Sequence, residues 1–314
     1  NFGSIDAVTY RQKGNKEHLQ KILYKEHYLH EIMDPSKYFI IGEKGTGKTS
    51  YSVFLENNDY DNTRAKVIEL NSTDYQKFIG LKESGRLSLS SYSDVWRVIL
   101  LLRMSDAVAN KASETVFNSA KFDRLRSAIN AYYNDAFRPE VDTSLEIVQE
   151  SAVALGLLAG PLKASDSERE KVAATTTNFQ LNLLSLEREF ENALESLKLN
   201  KNIILFIDGI DIRPSDIDFK KYIECIQGLA NAAWQLNTDF FSNIRDSNGR
   251  MKVCLLMRPD ILDQMGFQNL NAKVRDNGVV LNWQTTYETF RSSHIFNMIS
   301  GVIARQQTEE CSNS

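Results

Sequence analysis

Short apolar runs, each bounded by polar or turn-forming residues, punctuate the chain at residues 38–41, 66–70, 203–207, 253–257 and 279–281. Runs that are hydrophobic at consecutive positions predict strands buried on both faces. Between them the apolar spacing shifts to three and four, which predicts helices over residues 15–32, 49–57, 219–234 and 285–304. Residues 91–199 read as almost wholly helical. There, 95–108 is apolar with Arg97 and Arg103 interspersed, 122–133 is amphipathic, and 179–197 sets Leu183, Leu186, Phe190, Leu194 and Leu197 on one face. Buried strands alternating with helices imply an α/β fold, a parallel sheet flanked by helices. The helical stretch between the second and third strands is too long for a simple crossover, so part of it reads as an insertion at about 91–199. Residues 1–36 form a polar lead-in, and 37–314 carry the α/β domain.

Composition narrows the class without naming a chemistry. The 314 residues are 42% hydrophobic and 25% charged, an ordinary globular balance that supports a packed core. A net charge of −4 gives no global push toward nucleic acid or an anionic membrane. Three scattered cysteines, Cys225, Cys254 and Cys311, form no CxxC pair and read as two small buried hydrophobes and a tail thiol. The most apolar stretch, 152–162, falls short of the ~18–20 residues that span a bilayer and contains Gly156, Gly160 and Pro161. No membrane association is expected, and a cytoplasmic setting is. The chain opens at Asn1 rather than Met and closes on a polar tail at 306–314 that reads as unstructured, which fits a fragment of a longer protein.

The chemistry concentrates after the first strand. Gly42-Glu43-Lys44-Gly45-Thr46-Gly47-Lys48-Thr49 fits G-x-x-x-x-G-K-[ST] at every fixed position, with Ser50 following. Glycines let successive N–H groups turn inward as an anion cradle, and the following helix adds its positive end. Lys48 would reach the β- and γ-phosphates of a nucleotide, and the Thr49 hydroxyl would ligate magnesium. A bare glycine-rich turn is the plainer alternative.

Such a loop needs a second acid at a neighbouring strand end. The run 203–207 ends in Asp208, which is expected to hold magnesium beside Thr49. Where many ATPases carry glutamate next, Gly209 stands here, so Asp211 becomes the candidate base or water-positioning group, with turn capping as its alternative. Glu43 and Glu69 are weaker substitutes. The run 253–257 ends in Arg258-Pro259-Asp260, and Arg258 either senses the γ-phosphate or pairs with Asp260.

Together these segments resemble a P-loop ATPase of the additional-strand division, more narrowly the STAND and KAP-type NTPases. Flanking segments at 2–7, 73–79, 92–96 and 281–283 are similar to those of a bacterial family near that group. The resemblance implies a sheet of order 5-1-4-3-2, ATP and magnesium as ligands, and ATP-driven switching or assembly with a homo-oligomer or partner protein. Several such families serve bacterial antiviral defence. Other readings are a GTPase, for which no N/T-K-x-D motif follows Asp208, and a small-molecule kinase, for which no arginine-rich lid follows the run 253–257. A DNA-associated motor and a non-hydrolysing interaction module stay open. Lys111, Lys121, Arg124 and Arg126 could face DNA, though dispersed charges of this kind usually mark a solvated face.

Overall fold

The computed structural model describes residues 7–70, 92–109, 184, 187–188 and 190–312, apart from positions 13, 26, 27, 212, 214, 216, 246, 266 and 267. The side chains of 109, 268–271 and 305–312 lie outside that description. The expected segments at 2–6, 73–79, 122–133 and 152–162, the helix-face residues Leu183 and Leu186, and the basic residues from 111 to 126 lie outside the described residues. In chain order the elements are α1 (Lys16–Ile22), α2 (Tyr28–Met33), β1 (Phe39–Ile41), α3 (Lys48–Asn57), β2 (Thr63–Glu69), α4 (Tyr92–Ala109) and β3 (Asn202–Asp208). There follow α5 (Phe219–Gln235), β4 (Met251–Met257), α6 (Pro259–Gln264), α7 (Gln268–Asn277), β5 (Gly278–Val280) and α8 (His294–Ser312).

All five predicted strands form, in one all-parallel sheet flanked by helices, with order β2-β3-β4-β1-β5. Read from the β5 edge this is 5-1-4-3-2, the order the resemblance implied. β4 is buried at every position and β3 at its five central ones, as their continuous apolar runs require. The edge strand β2 instead alternates, with Thr63, Ala65 and Val67 buried between more exposed neighbours. The turn before it places Asp61 and Asn62 at φ 47° and 53°, a left-handed conformation those short polar residues tolerate.

The chain divides into two compact units, Asn1–Ile68 with Phe206–Asp208 and Cys254–Ser314, and Glu69–Leu205 with Gly209–Val253. In the first, β1 pairs in register with β4 (Phe39↔Leu255, Ile41↔Met257) and with β5 (Phe39↔Gly278, Ile41↔Val280). The lead-in is fastened to α3. Asn57 Nδ2 donates to the Tyr10 carbonyl at 2.9 Å, and Arg11 pairs with Glu56 at 3.1 Å. The single helix expected over 15–32 is two short ones. The chain turns extended at Leu23, and the Tyr24 carbonyl, outside any helix, accepts the Tyr51 hydroxyl at 2.8 Å. The closing helix also differs. It begins at His294, after a 3-10 turn at Phe290–Ser292, and its backbone runs to Ser312 through the segment expected to be an unstructured tail.

In the second unit α4 packs on α5. Its apolar residues continue around the helix, so Val98, Leu100, Leu101 and Met104 are all fully buried. The helices meet closely where Gly228 faces Tyr92, since a Cβ there would lie 2.4 Å from the Tyr92 Cβ. Trp96 Nε1 donates to the Cys225 carbonyl at 3.1 Å, which pays the hydrogen bond an indole needs when buried. Asp218 caps α5 by accepting from the Lys220 and Lys221 amides. Beyond α5, one turn of π-helix (Leu236–Phe240) presents Asn237, whose amide accepts from Val253 N at 2.9 Å and donates to Val253 O at 2.8 Å. A side chain there does the work of a strand partner.

Arg97 explains one polar interruption of α4. Its guanidinium is shared by Glu187 at 2.7 Å and Glu191 at 3.1 Å. Burial, reinforced by the Glu187 charge, holds the Glu191 carboxyl above its ordinary range despite Arg97. A carboxyl raised in the folded state contributes most below its unfolded pKa and loses that contribution as pH rises through the folded value. Glu191→Gln is therefore expected to melt higher than wild type at pH 7, the gap closing as pH falls toward 4. Thermal melts across that range check it.

Candidate functional site

The glycine loop begins where the β1 ladder runs on for one more residue. Gly42 N donates to the Met257 carbonyl at 3.1 Å, and Leu281 N to the Ile41 carbonyl at 2.7 Å. Gly42 has no room for a side chain, because a Cβ would lie 2.4 Å from Thr46 Oγ1 and 3.2 Å from the Leu281 Cβ. Gly45 and Gly47 stand at φ 88° and 94°, where any side chain would be strained. The tip closes on the Glu43 carbonyl, which accepts from Thr46 N at 3.2 Å and Thr46 Oγ1 at 2.8 Å. The Glu43 and Lys44 side chains are exposed.

α3 starts directly at Lys48, with Gly47 as its cap and no side chain closing its N-terminal amides. Helix N-termini of that kind suit anions. Lys48 Nζ turns back over the loop and donates to the carbonyls of Gly42 at 2.6 Å and Glu43 at 3.0 Å. Thr49 Oγ1 donates to Asp208 Oδ2 at 2.6 Å. The two residues are 159 apart in sequence, and the parallel sheet brings β3's end beside the first turn of α3. Ser50, one residue on, is half-buried.

The other sequence candidates resolve differently. Arg258 is bidentate to Asp260, with Nε to Oδ1 at 3.0 Å and Nη2 to Oδ2 at 2.6 Å, the pairing that competes with phosphate sensing. Glu69 is exposed at the end of β2. Asp211 is exposed in the loop that follows Gly209 and the buried Ile210, whose carbonyl accepts the Tyr222 hydroxyl. Gly209 stands at φ 79°, and a Cβ there would lie 2.3 Å from the Leu70 carbonyl oxygen. Glutamate is thus excluded from that position by the backbone itself.

Sequence reasoning missed the surroundings of the loop tip. A cavity of about 560 Å³ opens against Lys44, Gly45, Thr46, Gly47 and Ser50. Its remaining wall is apolar and aromatic, from the lead-in (Tyr10, Leu23, Tyr24) and from Trp283 and α8 (Met298, Val302). No Asp or Glu is among the described residues that line it. Tyr51, at its edge, has its hydroxyl pKa pushed up by burial and by the nearby Tyr28 and Tyr24. Trp283 Nε1 donates to the Thr46 carbonyl at 2.8 Å. Aromatic residues scattered from 10 to 283 carry no shared period, so only the proximity of 281–283 to the last strand could have signalled them.

Comparison of the chain with family models, curated proteins and solved structures found no match. The site therefore stands on its own geometry. Among the described residues no helix is long and apolar enough to cross a membrane. Nor do three His, Cys, Asp or Glu side chains gather there as a self-sufficient metal site. A divalent ion at Thr49 and Asp208 would depend on oxygens brought by a phosphate, as magnesium characteristically does.

The Gly209 geometry yields a measurable cost. Gly209→Ala must both adopt a left-handed backbone and displace Leu70, so it is expected to destabilise the fold by about 2 kcal/mol or more. Denaturant unfolding measures this.

Proposed function

We propose that the chain binds ATP with magnesium on the loop from Gly42 to Ser50 and hydrolyses it, the nucleotide cycle driving a conformational switch or assembly. The observation that carries this reading is the 2.6 Å bond between Thr49 and Asp208, beside a lysine whose ammonium lies over the loop it would hand to a phosphate. The two oxygens are the donor types a hard cation takes. Magnesium held by Thr49 and Asp208 would offset the negative charge of the phosphates.

The residues' own parts follow from their present partners. Lys48 holds two neutral carbonyls, and phosphate oxygens, being charged, are the stronger acceptors. Binding thus exchanges those contacts for better ones. Gly45 and Gly47 allow the loop's N–H groups to face the anion. Arg258 takes part by exchanging Asp260 for the γ-phosphate. Asp211 is the group proposed to orient water. The cavity at the loop tip suits the base, and its wall favours adenine over guanine. Guanine's ring N–H and amino donors are best met by a carboxylate, and none of the described lining residues is Asp or Glu.

One observation favours a second reading, a nucleotide-dependent interaction module with little turnover. The position after Asp208 is closed to any acidic side chain, which leaves the role of base to Asp211 or to the weaker substitutes Glu43 and Glu69.

One assay series tests both, measuring ATP and GTP binding and turnover, with and without DNA. Lys48→Ala is expected to weaken ATP binding about 10- to 100-fold, the worth of hydrogen bonds to a charged group. Asp208→Asn should lose the magnesium dependence of binding, and Asp211→Ala should bind ATP without turning it over. Wild-type affinity in Lys48→Ala overturns the proposal. Wild-type turnover in Asp211→Ala removes that residue as base, and tight binding with no turnover in the wild type selects the second reading.

A further inference from the structure

The glycines that make the loop an anion cradle also leave its peptides free to turn over. Gly47 at φ 94° follows Thr46, and a glycine tolerates either orientation of the peptide that precedes it. That peptide is planar and trans, so its carbonyl and its N–H point in opposite directions. Whatever fixes the Thr46 carbonyl therefore fixes the direction of the Gly47 N–H.

Trp283 is what fixes it. Its indole N–H donates to the Thr46 carbonyl at 2.8 Å, and an indole nitrogen can only donate. The segment that carries it is itself tied down. Leu281 donates to Ile41 at 2.7 Å and packs on Gly42. The Tyr28 hydroxyl both donates to the Asn282 carbonyl at 2.6 Å and accepts from the Asn282 amide at 3.1 Å. The Trp283 ring stands edge-on to Tyr28 with centroids 5.2 Å apart, and near Tyr24 at 6.1 Å. The residues 281–283 thus form a strap outside the loop, touching its first glycine at one end and its Thr46–Gly47 peptide at the other.

We propose that Trp283 is a positioning residue for the phosphate group of the ligand: held by Tyr28, its indole draws the Thr46 carbonyl outward and so aims the Gly47 N–H into the cradle. The same ring forms part of the cavity wall at the loop tip, so the residue serves both ends of the ligand through different atoms. This inference rests on the ATP reading above.

Separate probes for the two ends test it. Trp283→Phe keeps an aromatic wall and removes the donor. Tripolyphosphate and ATP are expected to bind about three- to tenfold more weakly to it, the range a neutral hydrogen bond supports, a larger loss than adenosine shows, since the base keeps an aromatic wall. A merely structural role would weaken adenosine and tripolyphosphate together and lower the melting temperature. Tyr28→Phe, which releases Asn282, should reproduce the phosphate-selective loss at smaller size and carries the test should Trp283→Phe fail to fold. Unchanged tripolyphosphate binding in the folded variants overturns the role of Trp283 and leaves the ATP reading intact. Absence of tripolyphosphate and ATP binding in the wild type overturns both.

Discussion

β1 is three residues long and is hydrogen-bonded to a strand on each side while both its faces are buried. A strand so short has no slack. Its backbone groups are committed to β4 and β5, and a slip of one residue would break both ladders at once. The pairing also runs past the strand, through Gly42 N to Met257 and Leu281 N to Ile41. The glycine loop therefore leaves the sheet from a fixed point and in a fixed direction. The loop's close approach to Leu281, the start of α3 at Lys48 and the meeting of Thr49 with Asp208 follow from that departure.

Much of this was legible because buried parallel strands write themselves as uninterrupted apolar runs. Residues 203–207 and 253–257 could be read as strands from composition, and their terminal polar residues, Asp208 and Arg258, fell at strand ends. What local pattern could not carry was partner choice. Arg258 has an acid two residues away, and the ion pair forms within that short stretch. The lead-in pattern reads as one helix, yet the chain breaks at Leu23 and the Tyr24 carbonyl goes to Tyr51, a contact decided 27 residues away. Helical periodicity likewise begins at 285, but the polar run of threonines and serines makes local turns first, and helix geometry starts only at His294.

Gly209 illustrates how a departure from an expected pattern acquires a physical cause. Read as a sequence, it is a missing glutamate. Read as geometry, it is a backbone at φ 79° passing within reach of the Leu70 carbonyl. The exit from β3 is therefore built around the absence of a side chain, and restoring glutamate would cost fold stability before it could add a base. On this side of β3 the next acid is Asp211, past Ile210, whose burial and bond to Tyr222 anchor the turn before it.

The aromatic residues around the loop tip add the constraint that glycines remove. A cradle of inward N–H groups needs residues without side chains, and such residues do not hold an orientation by themselves. Rigidity must then be supplied from outside, by groups that occupy the carbonyls and leave the N–H groups directed inward. Lys48 instead occupies the carbonyls of Gly42 and Glu43 from the loop's own side, and in the proposed function its ammonium would leave them for a phosphate. Trp283 differs, because a neutral indole donor gains little by leaving a half-buried carbonyl for an anion. Of the two contacts, the one from the last strand's exit is the one that can persist through ligand binding. It ties the glycine loop to the chain leading into α8.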